Sequence, residues 1–524
     1  IKLLILIYKN LLNIKFRRGS MITKVNENYI LTKTLILSGI QCEKKLWYDK
    51  NDKIKVGAKA LFEAGNRFND TIRKHYGQGL DLSDEFDPKI AINKTSEAIK
   101  SSNVNVIYEG AFQFKETYIR ADVLLKNNDS WTMLEAKAST NIKDINIYDV
   151  AIQSYIAKQN GLNLNSNKLI NINKEFIYQN NENYSNLIKE IEITGDVLKK
   201  EKEVKELIKN SLSIVKDLCP NKEVGSHCKN PYPCNYLDRC SPAEADIQNP
   251  SFKILPYYGK KIEKYCKEND IEKLEAIPKD LLQSSRKDYA DSYHYIIQQA
   301  HIKNTPWVNP ELPKQFKNWK WPYYFMDFET VQQTIPIIKN TKPFEQLPFQ
   351  WSIHKWSKFD QPLEEFSFLD FQNQDMELNF LKKLVETLGN QGTIFVHNHP
   401  FEKGVLNRLK EKPNLNLYSS KIDMIIDRII DTLELTRKNF YSPKMFGKYS
   451  LKKIVKGIPT KISYESNEEN SVSDGGDAQL AWFKCTDPGT TSEEKTNYKK
   501  ELLKYCAKDT KAMHDLIFYF LQLK

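Results

Sequence analysis

The chain has 524 residues and a formal net charge of +11, with 40% hydrophobic and 28% charged residues. This composition supports folded cores and argues against a wholly disordered chain. At roughly 150 residues per domain, the length favours several domains. No run approaches the ~18 uncharged apolar residues of a membrane-spanning helix, which argues against an integral membrane protein and leads us to expect a cytoplasmic one. Eight cysteines in so long a chain do not form a disulfide scaffold, but they leave room for a metal or cluster site.

The first twenty residues bias the net charge. They contain five basic residues and no acid, so the rest of the chain carries 11 − 5 = +6. The chain starts with isoleucine, and Arg-Arg-Gly-Ser precedes Met21, as a translated ribosome-binding site would. We therefore expect residues 1–20 to be a non-native upstream translation; a membrane-surface anchor is the alternative. The net charge supports nucleic-acid binding only weakly.

The predicted elements form two α/β units. Strands are predicted over 104–114, 118–126, 131–138 and 168–178, with helices over 144–159 and 191–218. Residues 250–315 are predicted as short helices broken at prolines. In the second unit, strands are predicted over 323–330, 348–354 and 393–398, and a helix over 492–523. We divide the chain into the upstream segment 1–20, a first domain 21–245, a helical connector 246–318 and a second domain 319–524.

The first unit contains a group of charged residues within apolar strand sequence. Glu135 and Lys137 are two residues apart and share one face of a strand, and strand pairing can bring Asp122 alongside them. Carboxylates at such a place can hold Mg²⁺ or Mn²⁺, which activates water for phosphodiester hydrolysis, while the lysine offsets developing charge. A solvated surface hairpin is the alternative, but charges in apolar strands are costly unless they are functional or paired.

The order of these residues, followed by Gln153 on the next helix, resembles the RecB-like branch of the PD-(D/E)XK nucleases. The resemblance implies a restriction-endonuclease-like fold, catalytic roles for Asp122, Glu135, Lys137 and Gln153, and a metal held by Asp122 and Glu135. Tyr155 follows Gln153 by two residues instead of the family's four, so its role stays open. Candidates for a further upstream ligand, each also explicable as a structural residue, are Glu63 and Glu109.

Cys228, Cys234 and Cys240 follow one another at regular spacing, and Cys42 stands far upstream. Zinc ribbons usually use shorter spacings, whereas iron–sulphur clusters accept more varied ones. The arrangement resembles the CRISPR-associated RecB-like exonucleases and the AddB-type helicase–nucleases, in which one N-terminal and three C-terminal cysteines hold a [4Fe–4S] cluster. The resemblance implies such a cluster on these four cysteines. Zn²⁺ is the alternative, and independent buried thiols are a further one.

A second group of acids comes from three separate elements of the second unit. Asp327 and Glu329 share a strand face, Glu402 opens a helix, and Tyr505 and Asp509 lie one helical turn apart. Four such acids can bind two metal ions ~4 Å apart, and a tyrosine can hydrogen-bond the attacking water. Each motif has a plainer explanation, such as an acid in the first turn of a helix for Glu402. Three further acids, at positions 423, 427 and 431, are predicted to form a solvated helix face.

The order of the second group resembles the tyrosine-bearing DnaQ-like DEDD exonucleases. It implies an RNase H-like fold and 3′–5′ exonuclease activity, with metal ligands Asp327, Glu329, Glu402 and Asp509 and a catalytic role for Tyr505. Glu402 stands where the family usually has aspartate, and its extra methylene displaces the carboxylate in a two-metal geometry that tolerates little displacement.

Beyond residue 20 the whole chain resembles a bacterial family of unknown function that joins these two nuclease-like units. The leading hypothesis is a metal-dependent nuclease acting on DNA and/or RNA at two potential active sites, in repair, defence or processing of nucleic acid. One alternative is a nucleic-acid-binding adaptor with one or both centres inactive. Another is a nuclease of small nucleotides. The segment 444–450 is a candidate substrate loop.

Overall fold

The computed structural model describes residues 31–54, 59–179, 182–240, 247–283, 293–371, 375–464 and 472–523, without the side chains of 59–64. The predicted upstream segment 1–20 lies outside these residues, as does the side chain of Glu63. The chain divides into two compact units. The first comprises Ile1–Gly57, Leu61–Phe176 and Asn181–Ser241, and the second comprises Ala58–Ala60, Ile177–Asn180 and Pro242–Lys524. None of the helices in the described ranges is both long enough and apolar enough to cross a bilayer.

The first unit is a seven-stranded mixed sheet with helices. Its strands are β1 (Leu31–Thr32), β2 (Leu80–Asp81), β3 (Val106–Phe114), β4 (Thr117–Asn127), β5 (Ser130–Ala136), β6 (Leu164–Ile172) and β7 (Ile188–Glu192). Its helices are α1 (Lys33–Gln41), α2 (Glu43–Asn51), α3 (Lys59–Tyr76), α4 (Pro88–Lys100), α5 (Asp144–Gln159), α6 (Thr194–Lys216) and the short α7 (Leu237–Cys240). The strand order is β2-β3-β4-β5-β6-β7, with β1 beside β4.

Local sequence explains how this sheet is connected. Strands β3, β4 and β5 form an antiparallel meander, whose second turn uses Asn128 at a positive φ of 54°. Helix α5 then crosses over to β6, which pairs parallel to β5. The helix spans the predicted residues 144–159 and is almost entirely buried. The strand predicted over 168–178 stops at Ile172, because the Asn173 side chain accepts a hydrogen bond from the Glu175 N–H and turns the chain.

The second unit is built on a five-stranded sheet. The unit as a whole contains the strands β8 (Trp307–Val308), β9 (Tyr323–Gln332), β10 (Gln346–Trp356), β11 (Leu363–Leu369), β12 (Thr393–Val396), β13 (Ile429–Asp431) and β14 (Phe440–Tyr441). Its helices are α8 (Gly259–Glu268), α9 (Lys279–Leu282), α10 (Tyr293–Lys303), α11 (Leu312–Gln315), α12 (Met376–Leu388), α13 (Pro400–Lys410), α14 (Ser419–Asp427), α15 (Thr432–Asn439), α16 (Leu451–Ile454), α17 (Gly475–Thr486) and α18 (Ser492–Gln522).

The order of strands in this sheet is β11-β10-β9-β12-β13, with β8 and β14 forming a separate pair. Numbered along the chain from β9, the order is third, second, first, fourth, fifth. The first three strands are antiparallel, and β12 and β13 run parallel to β9. Strand β9 is therefore central, and its side chains are almost all buried. Such a position keeps any charged residue on this strand away from bulk water.

The sheet is covered on both faces. Helices α12, α13 and α14 pack around Met326, Ile353 and Ile394, while α18 packs with Phe325 and Phe395. The segment predicted as a connector, 246–318, contributes buried residues such as Leu255 and Ile297 to the same core as α18. This segment folds as part of the second unit because its prolines separate short helices that each bury an apolar face.

One prediction for this unit is wrong. Asp431 does not share a helix face with Asp423 and Asp427, because helix α14 ends at Asp427 and Asp431 closes strand β13. Its carboxylate caps α15 by accepting a hydrogen bond from the Leu433 N–H at 2.8 Å. The repeat of aspartates every four residues thus spans a helix end and a strand.

Candidate functional site

The first centre is an ion-pair ring in the first unit. Lys33 Nζ donates to Glu135 Oε1 at 2.8 Å, and Lys137 Nζ donates to the same oxygen at 2.7 Å. Lys137 Nζ also lies 2.5 Å from Asp149 Oδ2, and Lys33 Nζ lies 3.5 Å from Asp149 Oδ1. Positive and negative groups therefore alternate around a closed ring. Lys33 and Asp149 were not among the predicted site residues.

The other predicted residues of this centre adjoin the ring. Gln153 Nε2 donates to Glu135 Oε2 at 2.8 Å, so both oxygens of Glu135 have partners. The register of β4 and β5, with Val123 opposite Leu134, places Asp122 across from Glu135. Asp122 Oδ2 accepts the N–H of Ala136 at 2.7 Å. The structure thus gathers Asp122, Glu135, Lys137 and Gln153 at the end of β5.

Burial makes the charges of the ring interdependent. Glu135 is 2% and Asp149 4% exposed. Burial alone would lower the pKa of Lys33, but attraction to Asp149 and Glu135 outweighs it and raises the pKa well above its ordinary value. Burial raises the pKa of Asp122, opposed by the charge of Lys33. The ring therefore holds two ammonium groups against two buried carboxylates.

Two further residues considered for this centre have different surroundings. Glu109 lies across from Asp122 in the register of β3 and β4, at a positive φ of 56°, and its Oε2 is 3.6 Å from Arg120 Nε. Burial raises the pKa of Glu109. Glu109 is therefore a neighbour of the centre, and its backbone is strained at this position. Tyr155 instead packs edge-on against Phe114 in the core.

The four predicted cysteines line one cavity in the first unit, of about 290 Å³ including the space open to solvent. Its wall contains these four cysteines and three lysines: Cys42, Cys228, Cys234, Cys240, Lys44, Lys45 and Lys222. All eight cysteines of the chain are free thiols. Burial raises the pKa of Cys234 and of Cys240, and each thiol is influenced by the other cysteines of the cavity. Four thiols from two chain segments fit the donor set of a [4Fe–4S] cluster or of Zn²⁺.

Cys42 reaches the cavity from the junction of two helices. It ends α1 and precedes the first residue of α2. The neighbouring Gln41 side chain donates to the backbone carbonyls of His227 at 3.0 Å and Tyr232 at 2.7 Å. These bonds join the N-terminal helices to the cysteine loop. Because α1 begins with Lys33, the same helix has one end in the carboxylate ring and the other at the cysteine cavity.

The second centre brings acids together from three elements of the second unit. Asp327 and Glu329 lie on the central strand β9, and parallel pairing of β12 with β9 places the start of α13, with Glu402, nearby. Helix α18 carries Asp509 and is tied to β9 by Cys506, whose Sγ donates to Asp327 Oδ2 at 3.4 Å. Electrostatic interactions link these acids, between Asp327 and Asp509 and between Glu329 and each of the other three.

Two of these acids are buried and two are partly buried, with little compensating charge. Glu402 is 1% and Glu329 8% exposed, and Glu402 Oε2 has no hydrogen-bond partner among the described residues. Burial raises the pKa of Asp327, Glu329 and Glu402 well above ordinary values. The charged neighbours that act on these three most strongly are other acids, which raises the pKa values further.

Asp509 has different surroundings from the other three acids. Burial raises its pKa to about 6, although a hydrogen bond from Tyr464 and the charges of Lys452 and Lys508 oppose the rise. The Tyr464 hydroxyl donates to Asp509 Oδ1. The predicted Tyr505 lies close enough for the charge of Asp509 to raise its pKa. Tyr464, which was not predicted, therefore makes the direct contact with this acid.

Within the described residues, no three His, Cys, Asp or Glu side chains are already arranged closely enough to hold a metal ion. The chemistry of the donors nevertheless suits hard divalent cations at the second centre, where four carboxylates converge and one oxygen is unpaired. At the first centre the same donors are engaged by lysines. A cation would therefore have to displace an ammonium group there.

Comparisons with known proteins add two findings. A domain of unknown function, DUF2779, matches residues 324–450, which include Asp327, Glu329 and Glu402 but not Asp509. An uncharacterized protein of Mycoplasma genitalium is 26% identical over 216 residues, covering 38% of this chain. The match spans about a third of that relative, 32% of its length.

We expect replacement of Lys33 by methionine to tighten divalent-cation binding at the first centre by at least roughly ten-fold, because a charge-assisted hydrogen bond no longer competes for Glu135. Calorimetric titration with Mn²⁺ in an Asp327→Ala background, which disables the second centre, measures this. Lys158→Met is the matched control, since Lys158 pairs with Glu201 elsewhere on α5. An affinity that is unchanged or weaker in Lys33→Met would contradict the competition.

The raised pKa of Asp509 predicts a pH dependence of stability. Its pKa rises from 3.8 to about 6 on folding, so the stabilisation is complete below pH ~4 and is lost as the pH rises through 6. The wild type, compared with Asp509→Asn, should lose roughly 2–3 kcal/mol of unfolding free energy over this window in EDTA. Mn²⁺, which binds the ionised carboxylates, should reverse the loss at pH 7.5. Thermal unfolding midpoints across pH measure both the loss of stability and its reversal by Mn²⁺. A wild type that gains stability relative to Asp509→Asn as the pH rises would contradict this prediction.

For the cysteine cavity, we expect protein purified without oxygen to be brown and to contain about four irons per chain. Cys42→Ser should lose the colour and most of the iron. Cys219→Ser is the control, because Cys219 is a nearby thiol outside the cavity wall. Iron analysis and the visible spectrum measure the iron content and the colour of each variant. One zinc and no iron would favour the Zn²⁺ alternative, and neither metal would refute the site.

Proposed function

We propose that the protein is a metal-dependent nuclease that hydrolyses phosphodiester bonds in DNA and/or RNA, with its second centre as the better-supported active site. The observation that carries this proposal is the burial of Glu329 and Glu402 beside the partly buried Asp327, with other acids as the strongest charged neighbours of all three. In its ionised form such a cluster is unfavourable unless cations occupy it. Phosphodiester hydrolysis is the reaction for which converging carboxylates of this kind are suited.

The architecture of the second unit supports the same proposal. The strand order third, second, first, fourth, fifth is the order expected of an RNase H-like fold. The acids lie on the first strand, on the helix after the fourth strand and on the last helix, which supports the DEDD resemblance. The charge of Asp327 raises the pKa of Glu402 further, beyond the effect of burial, which supports a place for Glu402 in the cluster despite its extra methylene. We therefore keep Glu402 as a ligand in this proposal, although the family usually has aspartate there.

The residues have separable roles in this proposal. Mg²⁺ or Mn²⁺, when bound, would activate water and stabilise the leaving oxygen. Asp327, Glu329, Glu402 and Asp509 would hold the cations, and burial would exclude competing water. Tyr464 keeps the Asp509 carboxylate in a fixed orientation through its hydrogen bond. Tyr505, on the same helix face as Asp509, is placed to orient the attacking water.

The first unit supports a RecB-like nuclease centre more weakly. The meander β3–β5, the crossover helix α5 and the parallel strand β6 carry Asp122, Glu135, Lys137 and Gln153 in the expected order. In this proposal Asp122 and Glu135 bind the metal, and a [4Fe–4S] cluster on the cysteines holds the N-terminal helices against the rest of the unit.

One observation favours a second candidate function for the first unit, that of a nucleic-acid-binding adaptor. Lys33 and Lys137 already neutralise Glu135 and Asp149, and Gln153 occupies the other oxygen of Glu135. A ring that is already neutral has less need of a divalent cation than the second centre. In this case the first unit would bind nucleic acid, and only the second would cut it.

Separate Asp122→Ala and Asp327→Ala variants distinguish these functions. We expect Asp327→Ala to reduce cleavage of 5′-labelled single strands by at least roughly 10³-fold, since removing a metal ligand removes cation-dependent catalysis. Matched single- and double-stranded DNA and RNA with Mg²⁺ or Mn²⁺ are the substrates. Asp423→Ala is the control, because Asp423 is an exposed acid of the same unit, paired with Lys410.

The pattern of loss identifies the enzyme. If Asp122→Ala also reduces cleavage, both centres cut; if it leaves cleavage unchanged, the first unit is the adaptor. A wild type that cleaves none of these substrates with either metal would refute the nuclease proposal.

A further inference from the structure

A segment beside the second centre has an unusual charge. Residues 444–461 contain six lysines and no acid: Lys444, Lys448, Lys452, Lys453, Lys456 and Lys461. We call this segment the lysine strip. The chain as a whole has 78 basic and 67 acidic residues, so basic and acidic residues are nearly balanced. The lysine strip, with a charge of +6, departs from this balance. A concentration of positive charge on one surface attracts polyanions.

The lysine strip is anchored by its apolar side chains. Met445 and Ile454 are completely buried, in the same core as Met513 and Leu516 of helix α18. The lysines at 444, 448, 456 and 461 are exposed. The segment therefore presents its charges outward from a base shared with the helix that carries Asp509.

Backbone geometry fixes the strip further. Gly447 has a φ of +70°, and a Cβ at this position would lie 1.9 Å from the carbonyl oxygen of Ile254. Only glycine tolerates this approach. The preceding Phe446 is also left-handed, and its ring is buried. The exposed lysines therefore extend from a rigid base, which reduces the entropy lost when they bind a ligand.

The strip leads to the acids through Lys452. Its ammonium lies 5.8 Å from the centre of the Tyr464 ring, and that of Lys508 lies 5.5 Å from the same ring. The hydroxyl of this tyrosine donates to Asp509. Both lysines lower the pKa of Asp509. Two ammonium groups and an aromatic ring thus stand at the edge of the carboxylate cluster.

We propose that the lysine strip binds the sugar–phosphate backbone of a single nucleic-acid strand and leads its end to the second centre. This inference rests on the nuclease function proposed above. Phosphates are repelled by the four acids, so a strand can approach them only along compensating positive charge. Glu329 and Glu402 are buried, whereas Asp327 and Asp509 are partly exposed and are the acids that a strand end can reach. Lysines alternating with an aromatic ring are typical of surfaces that bind single strands.

The test compares two triple variants of the full chain with the same change in net charge. One replaces strip lysines, Lys444→Gln, Lys448→Gln and Lys461→Gln. The control replaces exposed lysines of helices α12 and α14, Lys382→Gln, Lys383→Gln and Lys421→Gln. Fluorescence anisotropy with labelled single-stranded DNA and RNA, in EDTA, measures binding across salt concentrations. Thermal unfolding verifies that both variants fold as the wild type does.

We expect the strip variant to bind at least ten-fold more weakly than wild type, and the control within two-fold. The slope of log affinity against log salt should fall by about 2, because three phosphate contacts at roughly 0.7 each are lost. Localised cross-linking gives an independent measurement: a photoreactive amino acid at position 444 should capture the labelled strand, and one at position 382 should not. A duplex should bind more weakly than either single strand.

The outcomes separate this inference from the nuclease proposal. If the wild type cleaves and the strip variant binds and cleaves as well as the control, the strand path is refuted and the nuclease stands. If the strip binds the strand but the wild type cuts nothing, the path stands and the nuclease proposal is refuted. If neither binding nor cross-linking occurs, or a duplex is preferred, the inference is refuted.

Discussion

The cost of burying negative charge governs both centres of this protein. A carboxylate removed from water must be paired, hydrogen-bonded or protonated, because the low-dielectric interior no longer solvates its charge. In the second unit Glu402 is 1% exposed and keeps one oxygen without a partner among the described residues. In the first unit Glu135 is as deeply buried, but each of its oxygens accepts a hydrogen bond. The same physical problem therefore has two different solutions.

The difference has consequences for what each centre can bind. Around Glu135, two lysines and a glutamine already provide the positive and polar groups that a cation would otherwise supply. Around Asp327, the main electrostatic influences are repulsive, so the cluster gains from any divalent cation that enters it. A charged strip of lysines beside the second centre supplies attraction for a polyanion where the acids alone would repel it. In the proposed function, metal affinity and strand binding therefore depend on different residues.

Much of the fold was predictable because it follows local rules. The crossover helix over 144–159 and the first position of the helix at Pro400 are confirmed, since apolar spacing and proline geometry act within a few residues. The candidate acids Asp122, Glu135, Asp327 and Glu329 follow from the same local rules, as charges within apolar strands, and Glu402 and Asp509 follow from their places on helices. Local rules failed at Asp431, where a four-residue repeat crossed from one element to another, and at residues 173–178, where one asparagine turns the chain.

The sequence by itself determined which residues are candidates for function: acids in apolar strands and at two helices, cysteines in a loop, and lysines without acids from 444 to 461. Only the tertiary structure decided which of those acids are neutralised. Lys33 is 102 residues from Glu135 along the chain, and Tyr464 is 45 residues from Asp509, yet each makes a direct hydrogen bond to its partner. No local pattern encodes such contacts, because electrostatic pairing depends on distance in space and on burial, and both arise only when the sheets and helices have packed.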